Sequence, residues 1–165
     1  MAAGGKADGV LAGTFNFLIA LNSSDGSDKP PPLGKIGFQE CNGLEIAMDV
    51  NEVKEGGRND GTVRLVGRGI YSNIVLKRGM LFPAGGAVNS DLWSWLQDIL
   101  SGVRPVRRYD GVIEVRSADR KDTVATWTFD RGLPSKISGP QLNAKTGEIA
   151  IEELTIEHEG LRLRV

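Results

Sequence analysis

The chain has 165 residues, 40% of them apolar, which suits one domain with a single core. Its 20 basic and 21 acidic residues leave a net charge of −1, so no global field holds nucleic acid or an anionic membrane by charge alone. A lone cysteine, Cys41, excludes an internal disulfide, and the longest apolar run, Phe17 to Leu21, is far too short to span a bilayer.

In chain order, the opening MAAGGKADG lacks the charged start and apolar run of a secretory signal. Residues 1–13 are expected to be a flexible start, and export by the general secretory route is not expected. Phe15, Phe17, Ile19 and Leu21 alternate with Asn16, Leu18 and Ala20, which predicts a strand largely buried on both faces. Asn22 to Gly34, rich in Ser and Asp with three consecutive prolines, predicts an exposed loop. Ile36 and Phe38 open a second strand. Leu44, Ile46, Met48 and Val50 alternate with Glu45, Asp49 and Asn51, the clearest half-buried strand of the sequence.

Glu55-Gly56-Gly57-Arg58-Asn59-Asp60-Gly61 holds three glycines between two good strands, predicting a long mobile loop or an extended hairpin. Such a loop costs ordering entropy in a free monomer and can be ordered by a neighbour in an oligomer. Further strands are expected at 62–66, 69–77, 111–116 and 123–130. Gly67-Arg68-Gly69 looks like half a dinucleotide fingerprint, but no helix follows, and a turn is the favoured reading. One helix is predicted at about 91–101, capped by Ser90 and stopped by Gly102. Leu92, Leu96 and Ile99 form its stripe, widened by Trp93, Trp95 and Leu100. A helix this apolar requires cover on most of its surface, from its own sheet or from a neighbouring subunit.

The final stretch, from Trp127 to Leu161, reads as strand, Pro/Gly-punctuated crossing, strand. Ala125, Trp127 and Phe129 share one face. In the second strand Ile149 and Ile151 point one way, whereas Leu154 and Ile156 continue on the other parity. The phase slip at Glu152-Glu153 predicts a β-bulge, or a strand that changes the surface it packs against.

Catalytic chemistry is scarce. His158 is the only histidine, and Glu157 and Glu159, its neighbours on a strand, point to the opposite face and cannot orient it. A structural or interface role is the better reading. One His and one Cys leave only carboxylates to complete a metal site, and no calcium-loop pattern is present. Neither metal nor cofactor is expected. The basic cluster Arg104-Pro105-Val106-Arg107-Arg108 can meet phosphate, but more often such a cluster pairs with acidic residues across a subunit contact or stays solvated.

Four segments in series carry a family resemblance: IGFQECNGLEIAMDVNEVKEGGRN (Ile36 to Asn59), NIVLKRG (Asn73 to Gly79), DLWSWL (Asp91 to Leu96) and WTF to HEGL (Trp127 to Leu161). Over roughly Thr14 to Leu161 the chain resembles the tail tube proteins of contractile phages and phage-tail-like contractile injection systems, related in architecture to the type VI secretion tube. It departs from many relatives at Leu65 to Gly69, where they have a Leu-Pro-Gly turn, and in the longer segment 80–90.

The resemblance implies a single tail-tube domain spanning 1–165. The implied fold is mainly β: an antiparallel β-barrel or two-sheet sandwich with one short helix and a long Gly-rich interface loop. It further implies a non-enzymatic subunit that forms six-membered rings, stacked around a channel for DNA or protein cargo. Sheath, baseplate or spike, and tail-terminator proteins are the implied partners, without membrane insertion. Assembly is expected in the bacterial cytoplasm, in a virion tail or an extracellular particle. The candidate subunit-interface residues are Glu55, Gly56, Gly57, Arg58, Asn59 and Asp60 of the arm, with Glu152, Glu153, His158 and Glu159 near the chain end. The alternatives are a tube-initiating paralogue at the baseplate and, in a different class, a monomeric β-sandwich that binds a ligand.

Overall fold

The computed structural model describes residues 16–26, 34–57, 61–80 and 89–164, together with 13 and 86. Residues 1–12, where a flexible start is expected, lie outside the described residues, as do Phe15, Arg58–Asp60 and most of the expected loops at 22–34 and 80–90. The elements are β1 (Phe17–Ser23), β2 (Gly34–Ile36), β3 (Glu40–Asn42), β4 (Ile46–Val53), β5 (Val63–Tyr71), β6 (Ile74–Gly79), α1 (Asp91–Leu100), β7 (Tyr109–Arg116), β8 (Thr123–Ser138), β9 (Ile151–Glu157) and β10 (Gly160–Arg164). The fold is mainly β, with antiparallel pairing throughout the described strands and one short helix.

Eight strands follow the order β2-β1-β7-β8-β9-β6-β3, with β10 beside β8. The path folds over at β8. The first half of β8 pairs with β7 on one side and β10 on the other, and the second half pairs with β9. Ile19 and Leu21 of β1, Ile113 of β7 and Phe129 of β8 then pack in one cluster with Ile74 and Leu76 of β6 and Leu154 and Ile156 of β9. Alternation supplies the inward face of each strand, and the two inward faces close on each other as a sandwich.

The bend has a local cause. Tyr109 pairs with Gly132 and Gly111 with Phe129, so Asp130 and Arg131 together oppose Asp110 in a bulge. Arg131 takes a positive φ of 53°, and its backbone N–H donates to Asp110 Oδ1 at 2.8 Å. On the other side, the register Glu157–Leu133 continues without a shift as Gly160–Asp130. β9 and β10 therefore form one strand, bent at His158-Glu159 alongside the bend of β8. The chain end does change the surface it packs against, but six residues later than the sequence pattern implies.

The expected slip at Glu152-Glu153 is not in the structure. β9 alternates regularly, with Glu152, Leu154 and Ile156 all facing the core and Ile151 facing out. The one-residue shift lies on the opposite strand, where Ser135 is the extra residue between Pro134 and Lys136. A pattern of apolar residues alone misassigns this strand because a glutamate occupies one of its inward positions. Among the described strands the second half of β8 has a neighbour only on the β9 side, so Pro134, which lacks an N–H, is tolerated there.

Phe129 is fully buried at the bend, and its ring lies over Gly111 and Gly132. A methyl group on Gly111 would sit 2.0 Å from the ring. Gly111→Ala is therefore expected to cost about 3 kcal/mol by overpacking. Urea denaturation checks this, and a variant as stable as the parent would contradict the packing described.

Helix α1 closes one end of the sandwich. Leu92 and Trp95 are buried; Trp95 Nε1 donates to the Arg107 carbonyl at 3.0 Å and its ring meets Tyr109 edge-on at 4.8 Å. Gly102, with φ 88°, ends the helix as expected. The cap differs from expectation. Ser90 makes no side-chain capping bond, and Asn89 Oδ1 accepts the Asp91 N–H at 3.0 Å instead. Leu100 remains exposed.

Candidate assembly interface

Among the described residues β4 and β5 pair only with each other, as a two-stranded ribbon outside the sandwich. Two expected strands and a turn (62–66, 69–77 and Gly67-Arg68-Gly69) are replaced here by one strand running through to Tyr71. The break falls at Ser72-Asn73, before β6. Gly67 and Arg68 together oppose Asp49 in a bulge. A methyl group on Gly67 would stand 2.2 Å from the Asp49 carbonyl oxygen, so glycine serves close strand approach here and not the expected turn.

Cross-strand pairs define the two faces of the ribbon. One carries Ile46, Met48 and Val50 opposite Tyr71, Gly69 and Val66; the other carries Ala47, Asn51 and Val53 opposite Ile70, Leu65 and Val63. Ile46, Met48, Val50, Val53, Leu65, Val66, Ile70 and Tyr71 are all substantially exposed, Val66 at 81%. The alternation that predicts a half-buried β4 is present, yet its apolar side is exposed among the described residues. Apolar residues on both faces of a solvated ribbon leave a contiguous surface of the kind that marks an interaction site. Each such side chain contributes about 1.5–3 kcal/mol when fully buried.

Glu55, Gly56 and Gly57 lie exposed at the ribbon's outer end, and Arg58, Asn59 and Asp60 lie outside the described residues. At its other end, the root, stands His158. One ring nitrogen, Nε2, lies 3.0 Å from the Ser72 carbonyl oxygen, and Nδ1 lies 3.1 Å from that of Gly160. The ring is flanked by Tyr71 and Phe129, each with its centroid 5.6 Å away. His158 thus joins the ribbon, as a structural contact.

The remaining chain-end carboxylates separate. Glu159 sits 3.0 Å from Arg131 and 3.5 Å from Arg108. Glu153 lies 3.8 Å from Lys77, which also holds Glu40 at 3.1 Å across the outer side of β3-β6-β9. Those bonds from Lys77, with one from Asn42, hold the Glu40 carboxyl below the usual range. Glu152 is not at the surface at all. Only 1% exposed, it accepts from Arg78 Nε through one oxygen and from Trp93 Nε1 at 2.8 Å through the other. It fastens α1 to β6 and β9 inside the chain.

The arginine cluster also finds acids within the chain: Arg107 lies 3.3 Å from Asp98, and Arg108 pairs with Glu159. Arg104 donates to the Val103 carbonyl at 3.0 Å. At the end of the sandwich away from α1, Cys41 lines a groove of about 420 Å³ with Phe17, Leu44, Ile113, Val115 and Trp127. Burial pushes its thiol up to about 11, which keeps it unreactive at neutral pH.

A two-layer antiparallel domain that carries exposed apolar residues on both faces of a separate ribbon has the features of a subunit that binds other chains. The family of T4-like virus tail tube protein gp19 matches residues 13–162, and the chain belongs to that family of structural tube proteins. A chain of the PVC extracellular contractile injection system, from its sheath–tube complex in the extended state, superposes with a TM-score of 0.76 at 21% identity. The match covers 93% of this chain and 91% of that one. A chain of the anti-feeding prophage baseplate gives 0.79 at 23% identity, covering 94% and 97%. The crystal structure of an Hcp protein gives 0.52 at 9% identity, covering 88% and 89%. At these identities the likenesses speak for a shared fold. No curated protein matches the sequence. Among the described residues no helix is long and apolar enough to cross a membrane.

Proposed function

We propose that this chain is the repeating subunit of the inner tube of a contractile phage tail or an extracellular contractile injection system. Six copies form a ring, and rings stack into a tube around a channel that carries DNA or a protein cargo. The observation that carries the reading is the β4–β5 ribbon, apolar on both faces and uncovered in a chain of the tail tube family. Head-to-tail ring contacts need two different surfaces on each subunit, and a projecting ribbon supplies one of them.

In this assembly the ribbon, with its Glu55–Gly61 tip, lies against a neighbouring subunit, and Glu153, His158 and Glu159 flank that contact. The sheath encloses the tube, and baseplate and terminator proteins bind its ends. The tube works by stiffness and a continuous bore: sheath contraction drives it forward as a passive shaft. Near-neutral charge limits repulsion when many copies pack together. Assembly takes place in the bacterial cytoplasm.

Deleting Glu55–Asp60 tests the arm. The shortened ribbon retains its strands, so the far-ultraviolet circular dichroism of the β-fold is expected to persist while rings fail to form. Unchanged rings after the deletion would remove the tip from the interface.

A further inference from the structure

Both ring nitrogens of His158 face carbonyl oxygens, Ser72 at the ribbon's root and Gly160 at the start of β10. A neutral imidazole has one N–H and one lone pair, so it can donate to only one of two such acceptors. The other nitrogen then presents its lone pair to a carbonyl oxygen about 3 Å away. The protonated ring has two N–H groups and satisfies both, as charge-assisted bonds. The Tyr71 and Phe129 rings lie tilted beside it, with centroids 5.6 Å off.

We propose that His158 is a proton-dependent bracket for the root of the β4–β5 ribbon. With the proton on, it ties the ribbon to the bend between β9 and β10. With the proton off, one of its two bonds is lost and the root loosens. The titratable and charged groups on the surrounding elements are Glu45 and Tyr71 at the root, Asp130 and Arg131 of β8, Arg162 of β10, and Glu157 and Glu159 beside the ring in sequence. Asp130 is engaged by Arg162, and Glu159 by Arg108 and Arg131. The two backbone carbonyls are therefore the direct acceptors that the ring meets. Because the ribbon has no strand partner in the sandwich among the described residues, an attachment at its root sets the direction in which it projects. The consequence for assembly rests on the proposed arm role: acid favours the presented arm, and rising pH weakens ring formation.

The bracket is tested on dilute, monomeric protein, so that its failure is separable from failure of the tube reading. Amide hydrogen exchange at Tyr71–Asn73, corrected for intrinsic rates, is followed from about pH 5 to pH 8, the range in which histidine ordinarily changes charge. Loss of one charge-assisted bond predicts about tenfold less protection at the alkaline end. In His158→Gln, with retention of the fold checked by circular dichroism, protection is expected to be low and flat across the range. Since the chain has a single histidine, no second imidazole contributes to the difference. Equal protection of the parent at both pH values, or a pH response retained in His158→Gln, would overturn the proposal.

Discussion

Glu152→Ala is expected to destabilise the monomer by about 3–5 kcal/mol, the loss typical of breaking one partner out of a buried ion pair. The Arg78 guanidinium, itself buried, would be left without its carboxylate, and the Trp93 indole N–H would lose its acceptor. A domain of ordinary stability, about 5–15 kcal/mol, would lose roughly a fifth or more of its margin. Replacing both charges by apolar residues, Arg78→Met with Glu152→Leu, is expected to recover most of the loss, because no charge then remains buried alone. Urea denaturation of the parent, single and double variants measures all three. A single variant within about 1 kcal/mol of the parent would show that the pair is solvated and α1 is held by other contacts.

The second large effect is on assembly. Val50 and Val66 are cross-strand partners on one face of the ribbon, and both are exposed in the single chain. Val50→Lys with Val66→Glu places opposite charges opposite each other, which preserves the ribbon in the monomer. Stability is expected to stay within about 0.5 kcal/mol, as for surface changes away from buried features. When a neighbour covers that face, two charges must be desolvated at each contact, at a cost of several kcal/mol per ion. Sedimentation velocity is expected to show a folded monomer where the parent forms rings. Rings of undiminished size would mean that this face stays solvent-exposed in the assembly.

The two variants act on opposite sides of what the sequence made legible. Alternation in β7 and the first half of β8, the apolar stripe of α1 and the Gly102 stop all predict the observed elements closely. Glu152 escaped because periodicity counts apolar residues, and an inward glutamate is recognisable only once Arg78, far away in sequence, is known to face it. Gly67 suggests a turn in the sequence because glycine signals both turns and close strand contacts. The register that separates the two depends on Asp49, on the other strand. Ser72-Asn73, which does break the chain between β5 and β6, has no glycine or proline at all.

The ribbon itself was half legible. Ile46, Met48 and Val50 alternate clearly, but alternation states that one face needs cover without stating which chain supplies it. Reading the Gly-rich tip as the contact placed the emphasis on Glu55–Gly61, whereas the uncovered apolar surface lies on the two strands behind it. The chain-end pattern places the change at Glu152-Glu153, six residues before the bend at His158-Glu159, because an exposed Ile151 and a buried Glu152 mimic a change of parity.

Electron microscopy of the purified, full-length protein at high concentration tests the central claim most directly. Class averages are expected to show closed six-fold rings with an open centre, alone or stacked into hollow tubes, with β4 and β5 lying against the adjacent subunit. A strictly monomeric species at the highest attainable concentration, with the ribbon free in solvent, would contradict the assignment of this chain as a tube subunit.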